Sequence, residues 1–188
     1  MASHTRVIWV YNMPSEEKKR IKLRSRRTPL RLLEKLKTTI KELYSVNPEY
    51  YIPPSTRLTC IDEFCIIHSE VSSTQELRTS GLRVIFEGTW LGVYTRGLVL
   101  PSILIARRIF RDQGVQAAIL VAERGVKAFL YGNDILPESV IKIYPPSRGI
   151  YAVIDGVDNE IVGFTRWSSE KRVYVNLYDL GIFLRLLG

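Results

Sequence analysis

The sequence predicts an α+β protein in two parts: a mixed N-terminal unit with a mostly antiparallel sheet, then a β-rich C-terminal unit built as a small barrel or sandwich. Three observations carry this. Leu30, Leu33, Leu36, Ile40 and Leu43 recur at helical spacing. The runs "LTCIDEFCIIHSEV" and "GLRVIFEGTWLGVYT" read as strands broken by turns. After Gly114 short β-rich runs follow one another about every ten residues, punctuated by Gly and Pro.

The elements follow in order. "RVIWVYNM" (6–13) alternates as a strand does, but a charge run, "SEEKKRIKLRSRR", comes next. It reads either as an added edge strand or as part of a mobile extension. The first helix is expected to take Thr28 as N-cap and Pro29 as its first residue, where a missing N–H costs nothing. Its leucine stripe faces the core while Arg31, Lys35 and Lys41 take other faces, and it ends before Asn47-Pro48. "PEYYIPPSTR" is a loop by its prolines. Turns are expected at Asp62-Glu63 and Glu87-Gly88-Thr89, and a second helix over "PSILIARRIFRD" up to Gly114. In the last part "VQAAILVA", "KAFLYG", "VIKIYP", "GIYAVID", "EIVGFTRW" and "RVYVNLYDLG" are read as strands. The resulting division is a basic N-terminal extension (1–25), a mixed α/β domain (26–112) and a β-rich domain (113–188).

Charge is distributed unevenly. The chain of 188 residues has a formal net charge of +8, and residues 1–41 alone hold twelve Lys/Arg against three Glu. Residues 42–80 hold two against six, and residues 81–188 thirteen against ten. A positive field gathered at one end suits a polyanion such as RNA, or an acidic protein partner. No apolar run approaches the roughly 18–20 residues that span a bilayer, and the start does not read as a signal peptide because its charges follow the apolar run. Cys60 and Cys65 are expected to be buried thiols in strands, which fits a reducing cytoplasm. With His68 and His4 they fall short of a convincing metal set. Arg outnumbers Lys eighteen to nine and Gln occurs three times, a composition that fits an archaeal or thermophilic source.

No catalytic constellation is visible: there is no phosphate-binding glycine loop and no Gly-x-Ser-x-Gly elbow. His68 near Asp62, Glu63 and Glu70 reads as a solvated loop cluster. Asp155, Asp158 and Glu160 read as a hairpin turn, and Asp179 either as an acid in a cleft or as the start of a last turn. No cofactor and no metal are expected. Nucleic-acid binding has better material. Arg166, Lys171 and Arg172 cluster around a predicted turn, with Trp167 and Tyr174 close by. Cations suit phosphates and aromatic planes suit unpaired bases. Trp167 stays open between a core role and a stacking role, while Tyr131 is expected in the core. In "FLYGNDILPESV" the Gly132-Asn133 pair marks a sharp turn. It is either a plain connection between strands or a corner where bare backbone meets a ligand.

Several stretches together carry a resemblance. "AFLYGNDILPESV", "VGFTRWS" and "LYDLGIFLR" resemble a C-terminal PUA module, and more specifically the Nip-seven family of large-ribosomal-subunit biogenesis factors. "EGTWLGVYTRG" (87–97) is similar to that family's Gly-Thr-x-x-Gly-x-Phe/Tyr-Thr-Lys/Arg junction, and "RTPLRLLEKL" to its early Arg-Pro-Leu start. The likeness covers residues 26–188; residues 1–25 depart from it, and Phe-Thr-Arg follows Gly163 where relatives show a second glycine. The resemblance implies a PUA-type β-barrel at 113–188 in a non-catalytic factor that binds single-stranded or U-rich pre-ribosomal RNA and ribosome-assembly proteins; the cysteine content and the size add the expectation of a cytoplasmic monomer. The resemblance also implies RNA contacts at Arg166, Lys171, Arg172 and Gly132; from the residues alone, Trp167 is added as a candidate stacking contact and Arg31, Lys35 and Lys41 as candidate secondary contacts to RNA or a partner. The competing readings are an RNA-modifying enzyme or its accessory subunit, and a protein-interaction adaptor.

Overall fold

The structure, a computed structural model, describes residues 7–12, 23–70, 82–146 and 149–187. Residues 15–22 of the charge run, His4 and most of the expected extension lie outside the described residues. The N-terminal part is built on strands β1 (Val7–Asn12) and β2 (Leu23–Arg27), helix α1 (Leu30–Tyr44), and strands β3 (Thr56–Ile61), β4 (Phe64–Ser69), β5 (Leu82–Gly88), β6 (Trp90–Thr95) and β7 (Leu98–Pro101). Helix α2 (Ile103–Gln113) leads out of it. The C-terminal part holds β8 (Ala118–Val121), α3 (Glu123–Leu130), β9 (Val140–Tyr144), β10 (Ile150–Asp155), β11 (Ile161–Ser168), β12 (Val173–Asp179) and α4 (Ile182–Leu187).

The N-terminal sheet runs β2-β3-β4-β6-β7, antiparallel throughout, and β1 pairs with β5 beside it. The stretch at 7–12 is therefore a paired strand, and β2 draws residues 23–25 of the expected extension into the main sheet. On one face α1 buries Leu33, Leu36, Ile40, Leu43 and Tyr44. It approaches so closely that a Cβ on Gly92 of β6 would lie 2.8 Å from a Leu36 methyl. Its start differs from expectation. Pro29 takes the N-cap with extended backbone, no side chain caps the helix, and the Thr28 hydroxyl is buried without a partner. Leu30 is 71% exposed, because it stands at the uncovered first turn and not on the core stripe.

The turn at Asp62-Glu63 is as expected, with Asp62 at φ 51°. It also overturns the reading of free thiols. A two-residue hairpin turn sets residues 60 and 65 directly opposite each other, and Cys60 and Cys65 are joined by a disulfide. His68 is buried, not a solvated loop residue: its Nε2 is 3.0 Å from the Thr59 hydroxyl, and its Nδ1–H donates to the carbonyls of Ser69 and Glu87, both 3.1 Å away. Ser102 caps α2, accepting from the Ile105 N–H and donating to the Trp90 carbonyl at 2.6 Å.

The C-terminal sheet runs β12-β11-β10-β8-β9, antiparallel except for the β8–β10 pair. It is an open sheet, extended at its β12 edge by an isolated bridge from Ile135 to Tyr174. "KAFLYG" is helical, which corrects the expectation of a strand. Val126 and Phe129 are buried at helical spacing, Glu123 and Lys127 pair at 2.7 Å across one turn, and a Cβ on Gly125 would lie 2.6 Å from Ser139 Cβ. Gly125 thus marks close packing of a helix, not a break between strands.

The two sheets share a core. Phe64 and Trp90 from the N-terminal sheet meet Tyr178 and Phe183 from the C-terminal part, with ring centroids 5.5–6.4 Å apart. Each such pair adds about 0.5–1.5 kcal/mol beyond area burial. Helix α2 packs against both β6 and β11.

Candidate nucleic-acid interface

The Gly-Asn turn ends α3. The Gly132 N–H donates to the Phe129 carbonyl at 2.8 Å and the Asn133 N–H to the Ala128 carbonyl at 3.2 Å, the paired bonds of a Schellman cap. Gly132 sits at φ 91°, where a side chain is strained. The turn therefore links a helix to an irregular loop and does not connect two strands. Tyr131, expected in the core, is 80% exposed beside it, because the cap swings residue 131 off the buried face that Val126 and Phe129 define.

A buried polar network holds this corner. The Asn176 side-chain amide donates to the Phe129 carbonyl and to Asp179 Oδ2, both at 2.9 Å. Arg185 forms a two-pronged pair with Asp179, Nη2 to Oδ2 at 2.7 Å and Nη1 to Oδ1 at 3.2 Å, and Nη1 also donates to the Leu130 carbonyl at 2.6 Å. Asp179, at the end of β12, is 1% exposed at its side chain while Arg185 is 39% exposed. Gly181 makes the approach of α4 possible, since a Cβ there would collide with the Leu130 carbonyl.

Above this network lies a cleft of about 310 Å³ between the two parts of the chain. Its lining includes Thr95 and Arg96 from the β6–β7 turn, Tyr131 and Gly132 from the corner, and Asp179 and Arg185 below. A cleft with a glycine corner, an exposed aromatic ring and two guanidinium groups can accept a flat polar ring and an anion together.

The hairpin β11–β12 supplies the second half of the surface. Arg166, Lys171 and Arg172 are exposed there, and Arg172 adopts φ 53° in the turn. Among the described residues none of the three pairs with a carboxylate. Trp167 is neither in the core nor free. It lies 38% exposed against the buried Tyr174, with ring centroids 4.8 Å apart. Burial raises the Tyr174 hydroxyl above its ordinary pKa.

The structure separates Gly132 from the hairpin cations. None of Arg166, Trp167, Lys171 or Arg172 lines the cleft, and roughly 20 Å of extended strand runs from Arg172 to Asp179. One loop joins the two ends: Asp134 accepts from the Asn176 N–H at 2.9 Å, and Ile135 bridges Tyr174, on which Trp167 rests. Arg31, Lys35 and Lys41 are exposed on α1, where Lys35 donates to the Gly97 carbonyl at 3.1 Å. The sequence reading missed Arg96 and Arg185. Arg185 had a signal in its place six residues after Asp179, within "DLGIFLR"; Arg96 had none, since only the packing of the two parts brings its turn to the corner. Asp155, Asp158 and Glu160 form the β10–β11 hairpin as expected, with Asp155 and Asp158 accepting from the N–H groups of Val157 and Glu160.

Residues 117–188 match the family described as the UPF0113 PUA domain, so the chain is an α+β protein with a C-terminal PUA domain. No curated protein matches the chain. Similar solved structures come from archaea. A hypothetical protein of Pyrococcus horikoshii OT3 superposes with a TM-score of 0.55 at 9% identity, over 87% of this chain and 99% of that one. A conserved PUA-domain protein of Thermoplasma acidophilum gives 0.56 at 9% identity, over 88% and 100%. A PUA domain of Aeropyrum pernix K1, solved as a tartrate complex, gives 0.51 at 17% identity, over 85% and 88%. At these identities the likeness is one of fold.

Proposed function

We propose, with the C-terminal PUA domain as premise, that this protein is a non-catalytic RNA-binding factor that takes a single-stranded segment along the β12 edge. PUA domains are generally RNA-binding. The observation that carries the reading is the pairing of surfaces at the two ends of β12: unpaired cations beside a half-exposed Trp167, and a cleft of Tyr131, Gly132, Arg96 and Arg185. Cations hold the ribose-phosphate chain, and the exposed rings stack on splayed bases. Gly132 lets the chain approach the backbone. The chemistry of the corner favours binding over catalysis, because its one buried acid, Asp179, is engaged by Arg185 and Asn176.

The finer reading is a factor in pre-ribosomal RNA processing and large-subunit assembly, working in the cytoplasm as a monomer with assembly proteins as partners. The "EGTWLGVYTRG" junction and the terminal "LYDLGIFLR" support it. The test is filter binding of a U-rich single strand. Replacing Arg166, Lys171 and Arg172 together with Ala should weaken binding at least tenfold near 0.1 M salt and reduce the salt slope by about 2. An unchanged affinity and slope would show that the hairpin is not the RNA surface.

A further inference from the structure

Edge strand β2 and the start of α1 carry a second cationic surface that the PUA domain does not explain. Strand β2 reads Leu-Arg-Ser-Arg-Arg and forms one end of the N-terminal sheet. Arg24 and Arg26 stand opposite Cys60 and Leu58. They are alternate residues, so both project to the face that α1 covers further along, about 7 Å apart along the strand. Arg31 follows on the exposed side of α1, and no acidic residue occupies that helix's first turn. Among the described residues Arg24, Arg26 and Arg31 pair with no carboxylate, whereas Glu70, whose carboxyl the Ser55 hydroxyl and then Arg57 hold below the usual range, also feels the charge of Arg27.

Charge on an edge strand is an ordinary defence against strand pairing between molecules. Two features go beyond that defence. Every charge in β2 is a guanidinium, the group suited to gripping phosphate by two hydrogen bonds. Among the described residues none of these three cations is held in an ion pair, so their charge is available to a ligand.

Among the described side chains, β2 and the start of α1 present no exposed aromatic ring, unlike the β12 surface. The exposed aromatics among the described side chains are Tyr50, Tyr131 and Trp167. Tyr50 belongs to the turn that follows α1, where the neighbouring Glu49 pairs with Lys37, and the other two belong to the PUA domain. Cations without aromatic planes suit a paired backbone, whose bases are already stacked on each other. We infer that Arg24, Arg26 and Arg31 form a second RNA surface that binds the phosphate backbone of a duplex, so that one molecule holds an RNA stem and a neighbouring single strand. This rests on the RNA-binding reading above.

The experiment compares two variants on two probes, a 16-base-pair RNA duplex and a U-rich single strand, over a salt series. In R24A/R26A/R31A, duplex binding is expected to fall at least tenfold near 0.1 M salt, with the salt slope reduced by about 2–3. Single-strand binding should stay within twofold, and the melting temperature should be unchanged because all three side chains are exposed. In R166A/K171A/R172A the pattern should reverse. The inference is overturned if R24A/R26A/R31A leaves duplex binding unmoved, or if it weakens both probes equally. It is also overturned if the duplex does not bind while polyglutamate does, which would mark the patch as a site for an acidic protein. Loss of single-strand binding in the hairpin variant alone would leave the PUA reading standing without the second surface.

Discussion

The Tyr178 hydroxyl in β12 donates to the Pro101 carbonyl at the end of β7 across 2.7 Å. The bond joins the last strand of one sheet to the last strand of the other. Tyr178 is buried, and burial raises its hydroxyl well above the ordinary value of 10.0, which favours the protonated form that donates. Tyr178→Phe should keep the ring stacking on Phe164 and lose only this bond. The expected cost is about 1–2 kcal/mol, read in urea denaturation. A single transition at a lower midpoint is predicted. Loss of cooperativity, with the two parts unfolding separately, would mean that the shared core is weaker than its aromatic contacts imply.

Arg185→Ala should leave the Asp179 carboxylate buried with Asn176 as its remaining side-chain partner. A fully buried pair broken in this way costs about 3–5 kcal/mol; Arg185 is more than a third exposed, so about 2–3 kcal/mol is expected. Calorimetric melting checks it. Arg185→Lys should recover only part of the loss, because an ammonium cannot span both carboxylate oxygens.

Gly132→Ala places a Cβ 3.3 Å from Arg185 Cζ at φ 91°. Left-handed backbone costs an ordinary residue about 1–2 kcal/mol. The same variant should weaken binding of a U-rich strand, and Gly132→Asn should be milder in stability because Asn tolerates this region better. Equal melting temperatures for glycine and alanine at this position would refute the strain argument.

His68 gives a pH dependence with a definite sign. Burial pushes its pKa below the ordinary 6.5, partly opposed by its hydrogen bond to the Ser69 carbonyl. The unfolded chain therefore takes up this proton first as pH falls. Stability present above pH 6.5 should decline as pH drops toward the folded-state pKa, and level off below it. Urea midpoints compared between pH 7.5 and 5 should show the decline, and His68→Gln should flatten it. A parent midpoint that does not move in that interval would contradict the assignment.

Elements with one dominant local signal were legible in the sequence. The stripe from Leu33 to Leu43 gave α1, Asp62-Glu63 gave a hairpin, and the apolar run that follows Pro101 gave α2. The errors have a common source. Gly125 and Gly132 look alike as strand punctuation, yet the first permits helix packing and the second ends the helix, and only tertiary neighbours tell these uses apart. The facing of Cys60 and Cys65 needed the register on either side of the turn. Thr28 looked like a cap, but it is tied by its backbone to Thr56, and its side chain is turned into the interior. At the candidate site the cations of the hairpin were visible as a local cluster. The cleft was not, because Arg96 reaches Gly132 only through the packing of one sheet against the other.

The aromatic seam of Phe64, Trp90, Tyr178 and Phe183 makes the molecule a caliper with fixed jaws. A linker between its halves would let each grip its own RNA segment and wander with it. On the proposed two-surface reading, a polynucleotide held at both jaws has to match their spacing or bend to meet it, and RNA shape becomes part of what is recognised.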